Sequence, residues 1–195
     1  KLKYAVFNEN VEATTDIDQA RNMDYLFLTL PSQKIREILS KVNLSKKNQE
    51  IIIASKGIEI ESSCFLSDVV TEVTKNKKIN ILSGPCFSEE VSQNLPTAVT
   101  FASSNKIVFE KISTFFHNKN FRMYYSDDLI GCQIGGALKN IYAIAAGITL
   151  GLNLGENAKS ALITRSFVEI NRFGKSMGAK KETIFGLSGL GDLML

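Results

Sequence analysis

Residues 121–150 read FRMYYSDDLIGCQIGGALKNIYAIAAGITL, and the hydrophobic pattern changes character inside this window. FRMYYS (121–126) has the length and aromatic content of a β-strand. From Leu129 onward the apolar and small residues keep helical spacing, and no strand pattern returns before residue 195. Asp127 and Asp128 stand between the two regimes, where carboxylates suit a helix start by capping free N–H groups and by complementing the dipole. A boundary near residue 127 follows, with an α/β unit over residues 1–127 and an all-α unit over residues 128–195.

Upstream of that window, short apolar runs alternate with amphipathic segments. DYLFLTL (24–30), EIIIAS (50–55), INILS (79–83) and TAVTFAS (97–103) read as strands. SQKIREILSKV reads as a helix after the first of them, with further helices near 62–75, in GPCFSEEVSQN and in NKIVFEKISTFFH. Strands that are apolar throughout, spaced by helices, argue for a sheet covered on both faces, mostly parallel and doubly wound.

Composition narrows the function classes. Apolar residues make up 44% and charged residues 22%, within the ordinary globular range. The net charge of +3 is small, and SKKN and KNKK sit where loops or helix ends are expected. Solvated surface is the reading there, and nucleic-acid binding, which wants a basic face with interleaved aromatics, is not expected. Cys64, Cys86 and Cys132 form no C-x-x-C pair and are odd in number, which favours a reducing, cytoplasmic setting. One histidine, His117 near a helix end, with no paired cysteines, argues against a zinc site or a Ser–His triad. The chain opens on KLKYAVFNEN without a secretory pattern and closes on GDLML in mid-pattern, so both ends are expected to be cut. The apolar stretch around Lys139 is long enough to raise the question of a membrane span. It carries Gln133, Lys139, Asn140 and several glycines, so a buried helix of a soluble domain is expected instead.

Ligands of open α/β sheets gather at the carboxyl ends of the strands. Lys56-Gly57 stands just past EIIIAS, where a lysine can reach a phosphate or a polarised oxygen; a plain surface loop is the competing reading. Gly84-Pro85 forces a turn, and Cys86 to Ser88 falls at a helix start that favours anions and lowers thiol pKa, unless it is only a capped helix. Lys139 is the only charge from Leu129 to Leu150. Its helical neighbours are Gly135, Gly136, Tyr142 and Ala143, then Cys132 and Ala146, a small-residue face that either other backbone or a ligand can approach. A buried lysine can serve as a general base; a lysine that snorkels to the surface is the alternative. Asp192, after three closely spaced glycines in GLSGLGDLML, either caps a helix or enters a polar site.

The ordered set PSQ, ASKGIE, LSGPCFSEEV, LPTAVTFAS, GGALKNIYAIAAGI, NAKSALITR and GLSGLGDL resembles the bacterial-type NAD(P)-dependent glycerol-3-phosphate dehydrogenase family over nearly the whole chain. The resemblance implies an α/β Rossmann-type dinucleotide-binding domain followed by an all-α substrate domain. It implies NAD or NADP as cofactor, and sn-glycerol 3-phosphate and dihydroxyacetone phosphate as the interconverted pair, in the service of phospholipid synthesis. Carried over by motif, Lys139 is the catalytic base. Lys56, Gly84, Cys86, Lys139, Asn140 and Asp192 contact substrate, and Lys56 and Ser88 contact cofactor. The family has Ser or Thr where this chain has Cys86, which weakens that contact as a hydrogen bond. The G-x-G-x-x-G fingerprint is expected before Lys1, and an Arg- and Asn-bearing phosphate segment after Leu195. A homodimer is expected by analogy alone. A sister two-domain dehydrogenase for another hydroxy acid, or a non-catalytic remnant, are the other readings.

Overall fold

The computed structural model describes residues 7–42, 44, 49–116 and 118–194. SKKN and His117 lie outside the described residues, as do the first six residues. Five strands form one sheet: β1 (Tyr25–Leu28), β2 (Glu50–Ile53), β3 (Ile79–Ser83), β4 (Thr97–Ser103) and β5 (Phe121–Ser126), side by side in chain order. Between them run α1 (Ile35–Lys41), α2 (Leu66–Thr74), α3 (Ser88–Ser92) and α4 (Lys106–Phe116). α1 is shorter than its sequence pattern, because Ser32–Lys34 just after Pro31 forms a tighter 3-10 turn.

The strand runs are apolar on both faces because both faces are covered. Leu28, Ile53, Ile81 and Ala102 lie in register across four strands and pack with Ile35, Leu39, Leu66, Val69 and Val70 from α1 and α2. The alternate residues Phe27, Ile52, Leu82 and Phe101 pack on the opposite face with Val108 and Ile112 of α4. Successive strand side chains point to opposite faces, so these two sets separate cleanly.

The sheet is mostly parallel, with one exception: β3 and β4 pair antiparallel, whereas β1–β2, β2–β3 and β4–β5 are parallel. That reversal explains the double covering. Parallel crossovers are overwhelmingly right-handed. With strands added in one direction, inverting the strand sense sends the next crossover helix to the other face, and α4 lies there, opposite α1 and α2.

After β5 the described chain is helical: α5 (Leu129–Gly151), α6 (Gly155–Ser176), α7 (Lys181–Phe185), a π-helical turn at Leu187–Gly191 and α8 (Asp192–Met194). Asp128 caps α5, its Oδ1 accepting from the Gly131 N–H at 2.8 Å, while its Oδ2 accepts from the Lys180 N–H at 2.7 Å. Ile134, Ile170 and Ile184 make the centre of a third apolar cluster that joins α5, α6 and α7.

The expectation of a buried helix holds for only half of α5. Residues 131–136 are buried, and α5 packs against β3 and β4 and against the helical segments that follow it. Farther along, Ile141, Ile144 and Ile148 are 59%, 65% and 57% exposed. α5 is also the one described helix whose length and composition would let it cross a membrane.

Candidate active site

The site is built where β2, β3 and α5 converge. Lys56 leaves the end of β2, and its side-chain stem runs over Gly136 of α5, where an added Cβ would come within 3.1 Å of Lys56 Cγ. Gly84 follows β3 with φ +133°, a conformation open chiefly to glycine, and a Cβ there would also lie 3.2 Å from the Val99 Cα. Lys139 emerges one turn beyond the buried part of α5, its side chain 17% exposed.

Asp192 joins the two lysines. Its carboxylate is fully buried. Oδ1 accepts from Lys139 Nζ at 2.9 Å, and Oδ2 accepts from Lys56 Nζ in an ion pair. Lys56 Nζ also lies 3.5 Å from the Gly84 carbonyl oxygen. Lysine and aspartate that stand 136 residues apart in the chain thus share one bond. Two ammonium groups on one carboxylate leave one net positive charge, with N–H donors to spare on both amines.

Asp192 reaches this position through close backbone packing. A Cβ on Gly135 would fall 1.7 Å from the Ser188 carbonyl oxygen, and one on Gly189 would fall 2.0 Å from that of Ile184. The π-helical turn is therefore pressed directly onto α5, a geometry often found at functional sites. Part of the small-residue face beside Lys139 is used for close packing within the chain. Gly135 makes room for the GLSGLGD turn and Gly136 for the Lys56 stem.

Other candidate residues are distributed around this cluster. Cys86 and Ser88 line a cavity of about 580 Å³ together with Phe115, Phe116 and Phe121. The sequence pattern suggested a lowered thiol pKa at Cys86. The structure reverses the direction: burial pushes it up, and the field of nearby Lys56 is outweighed. Asn140 is exposed at the next position around α5, and no hydrogen bond ties it to the Lys56–Asp192–Lys139 cluster among the described residues. Phe87, not singled out in the sequence, stands with its ring 5.9 Å from Lys139 Nζ. The available signal was a large apolar residue at a helix cap, a position that favours Ser, Thr, Asp or Asn.

Comparison with known proteins accounts for both halves. Residues 1–108 match the family described as NAD-dependent glycerol-3-phosphate dehydrogenase N-terminus, and residues 128–195 match its C-terminus. The chain belongs to the NAD-dependent glycerol-3-phosphate dehydrogenase family. A glycerol-3-phosphate dehydrogenase [NAD(P)+] of Thioalkalivibrio sulfidiphilus is 44% identical over 100% of this chain and 59% of its own length. One from Erythrobacter litoralis is 42% identical over 96% of this chain and 56% of its own. The crystal structure of glycerol-3-phosphate dehydrogenase from Coxiella burnetii superposes with a TM-score of 0.91 at 36% identity, covering 99% of this chain and 59% of that one. The chain thus spans somewhat over half the length of these three relatives.

Proposed function

We propose that the protein interconverts sn-glycerol 3-phosphate and dihydroxyacetone phosphate with NAD or NADP, supplying glycerol 3-phosphate for phospholipid synthesis. The observation that carries this reading is the bridge in which buried Asp192 holds Lys56 and Lys139 side by side at the strand ends. On this reading residues 1–127 are part of a dinucleotide-binding domain and residues 128–195 part of an all-α substrate domain. α5 is read as a core helix rather than a membrane span, because its middle carries Lys139 and its first turns are buried. A cytoplasmic setting agrees with three free thiols, and a homodimer is the assembly we infer by analogy.

The residues present suit the nicotinamide end of such a cofactor. Ser88 and Cys86 border a cavity whose wall mixes phenylalanine rings with Ser92, Asn94 and Asn118, and the Lys56 side chain is 32% exposed. A bound nicotinamide cofactor would exchange hydride with the second carbon of the substrate. Lys139 keeps N–H donors beyond the one it gives Asp192, so it can hand a proton to the substrate oxygen in reduction and take it back in oxidation. Lys56, with Gly84 and Cys86 nearby, orients the same substrate and meets its negative charge. Asp192 works from behind: it keeps both amines in place and offsets their mutual repulsion.

The test is a spectrophotometric assay of the full-length enzyme with dihydroxyacetone phosphate and either NADH or NADPH, beside a panel of keto acids. Lys139→Ala should lower kcat by on the order of 10²- to 10⁴-fold while cofactor binding stays close to wild type. A loss smaller than about tenfold would remove Lys139 from the proton-transfer role.

A further inference from the structure

Phe87 is anomalous on local grounds. It is 48% exposed and belongs to none of the apolar clusters. It also occupies the N-cap of α3, with φ −89° and ψ 128° and no side-chain capping bond. An apolar residue at an N-cap forgoes roughly 1 kcal/mol that Ser, Thr, Asp or Asn would supply. Among the described residues no core packing returns that loss. What the ring does meet is the ammonium of Lys139, 5.9 Å from its centroid, within the reach of a cation–π contact.

We propose that Phe87 is a positioning residue for Lys139, holding the amine by its ring face while Asp192 holds it by a hydrogen bond. The proposal rests on the reading of Lys139 as the group that transfers the proton. The ring face attracts the cation through its quadrupole and consumes none of the three N–H donors. Asp192 uses one donor, so the remaining ones stay available to a substrate oxygen. A second polar side chain in place of Phe87 would fix the amine as well, but by taking a donor the chemistry needs. The ring stands over a lysine whose side chain is only 17% exposed, and partial desolvation strengthens a contact of this kind.

The distinguishing experiment replaces Phe87 in the full-length enzyme with mono-, di- and trifluorophenylalanine. Shape is nearly kept while the negative potential of the ring face falls stepwise. We expect kcat to drop in the same order, by about 2- to 10-fold across the series, with the KM for NADH and the melting temperature unchanged. Phe87→Tyr should stay near wild type, and Phe87→Leu should fall at the low end of the series. A kcat indifferent to fluorination overturns the proposal, since a ring that only packs is insensitive to its quadrupole. A readout independent of turnover is the proton resonance of the Lys139 ε-methylene in protein carrying isotope-labelled lysine, assigned by its loss in Lys139→Met. A ring-current shift upfield, abolished in Phe87→Leu, is the expected result. Equal shifts in the two proteins overturn the contact. If wild-type enzyme fails to reduce dihydroxyacetone phosphate, the proposed reaction fails, and the resonance still decides the role of Phe87.

Discussion

Asp192 carries the site at the scale of one residue. Each of its oxygens is taken by a different lysine, and none of the residue is exposed to water. Asp192→Asn keeps the shape but removes the charge and turns one acceptor into a donor aimed at an ammonium. The two amines would then repel each other and leave their positions. A displacement of about 1 Å costs on the order of 10²-fold in rate, so kcat of full-length Asp192→Asn should fall by about that factor. Steady-state kinetics check it, and near-normal turnover would mean the lysines are held by something else. Cys86 gives the opposite lesson. With its thiol pushed up by burial, it stands neutral at the cavity wall as a weak hydrogen-bond partner.

At the scale of an element, α5 carries two kinds of glycine. Gly135 sits where a Cβ would overlap the Ser188 carbonyl, whereas a Cβ on Gly147 would meet nothing within 4 Å among the described residues. Within a helix, alanine is favoured over glycine by roughly 0.5–1 kcal/mol when nothing obstructs it. Gly147→Ala should therefore raise stability by about that amount. Gly135→Ala must push the π-helical turn off α5, at a cost of about 1–3 kcal/mol typical of overpacking. The same shift carries Asp192 away from Lys139, so activity should fall together with stability. Urea denaturation of the two variants, paired with kinetics, reads both effects.

Across the whole molecule, a charge network ties the first half of the sheet together. Arg36 of α1 donates to Glu59, beyond β2, and to Glu72 of α2. Hydrogen bonds from Arg36, then from Ser62, hold the Glu59 carboxyl below its ordinary range. A carboxylate with a lowered folded-state pKa stabilises the fold above the pKa of the unfolded chain. That contribution disappears as pH falls through the lowered value. The urea midpoint should accordingly hold steady near neutrality and decline in acid, below the usual glutamate range. Glu59→Gln should flatten this acid limb; an unchanged limb would assign the acid sensitivity elsewhere.

Strand and helix positions, the change of regime after Ser126 and the ordered motifs were legible along the chain, because periodicity, run length and turn chemistry are local properties. Lys56, Lys139 and Asp192 were identifiable as candidates for the same reason. The antiparallel step between β3 and β4 was not, since alternation along a strand reads the same in either direction. Nor could uniform apolarity reveal which half of α5 would be covered, as that depends on what packs against it. The small residues around Lys139 announced a close approach without naming what approaches; in the fold, backbone meets Gly135 and the Lys56 stem meets Gly136. Sequence alone therefore determined the elements and the chemical groups. Tertiary structure decided their joining, the Asp192 bridge and the Phe87 ring over Lys139, because such contacts rest on distances between segments far apart in the chain.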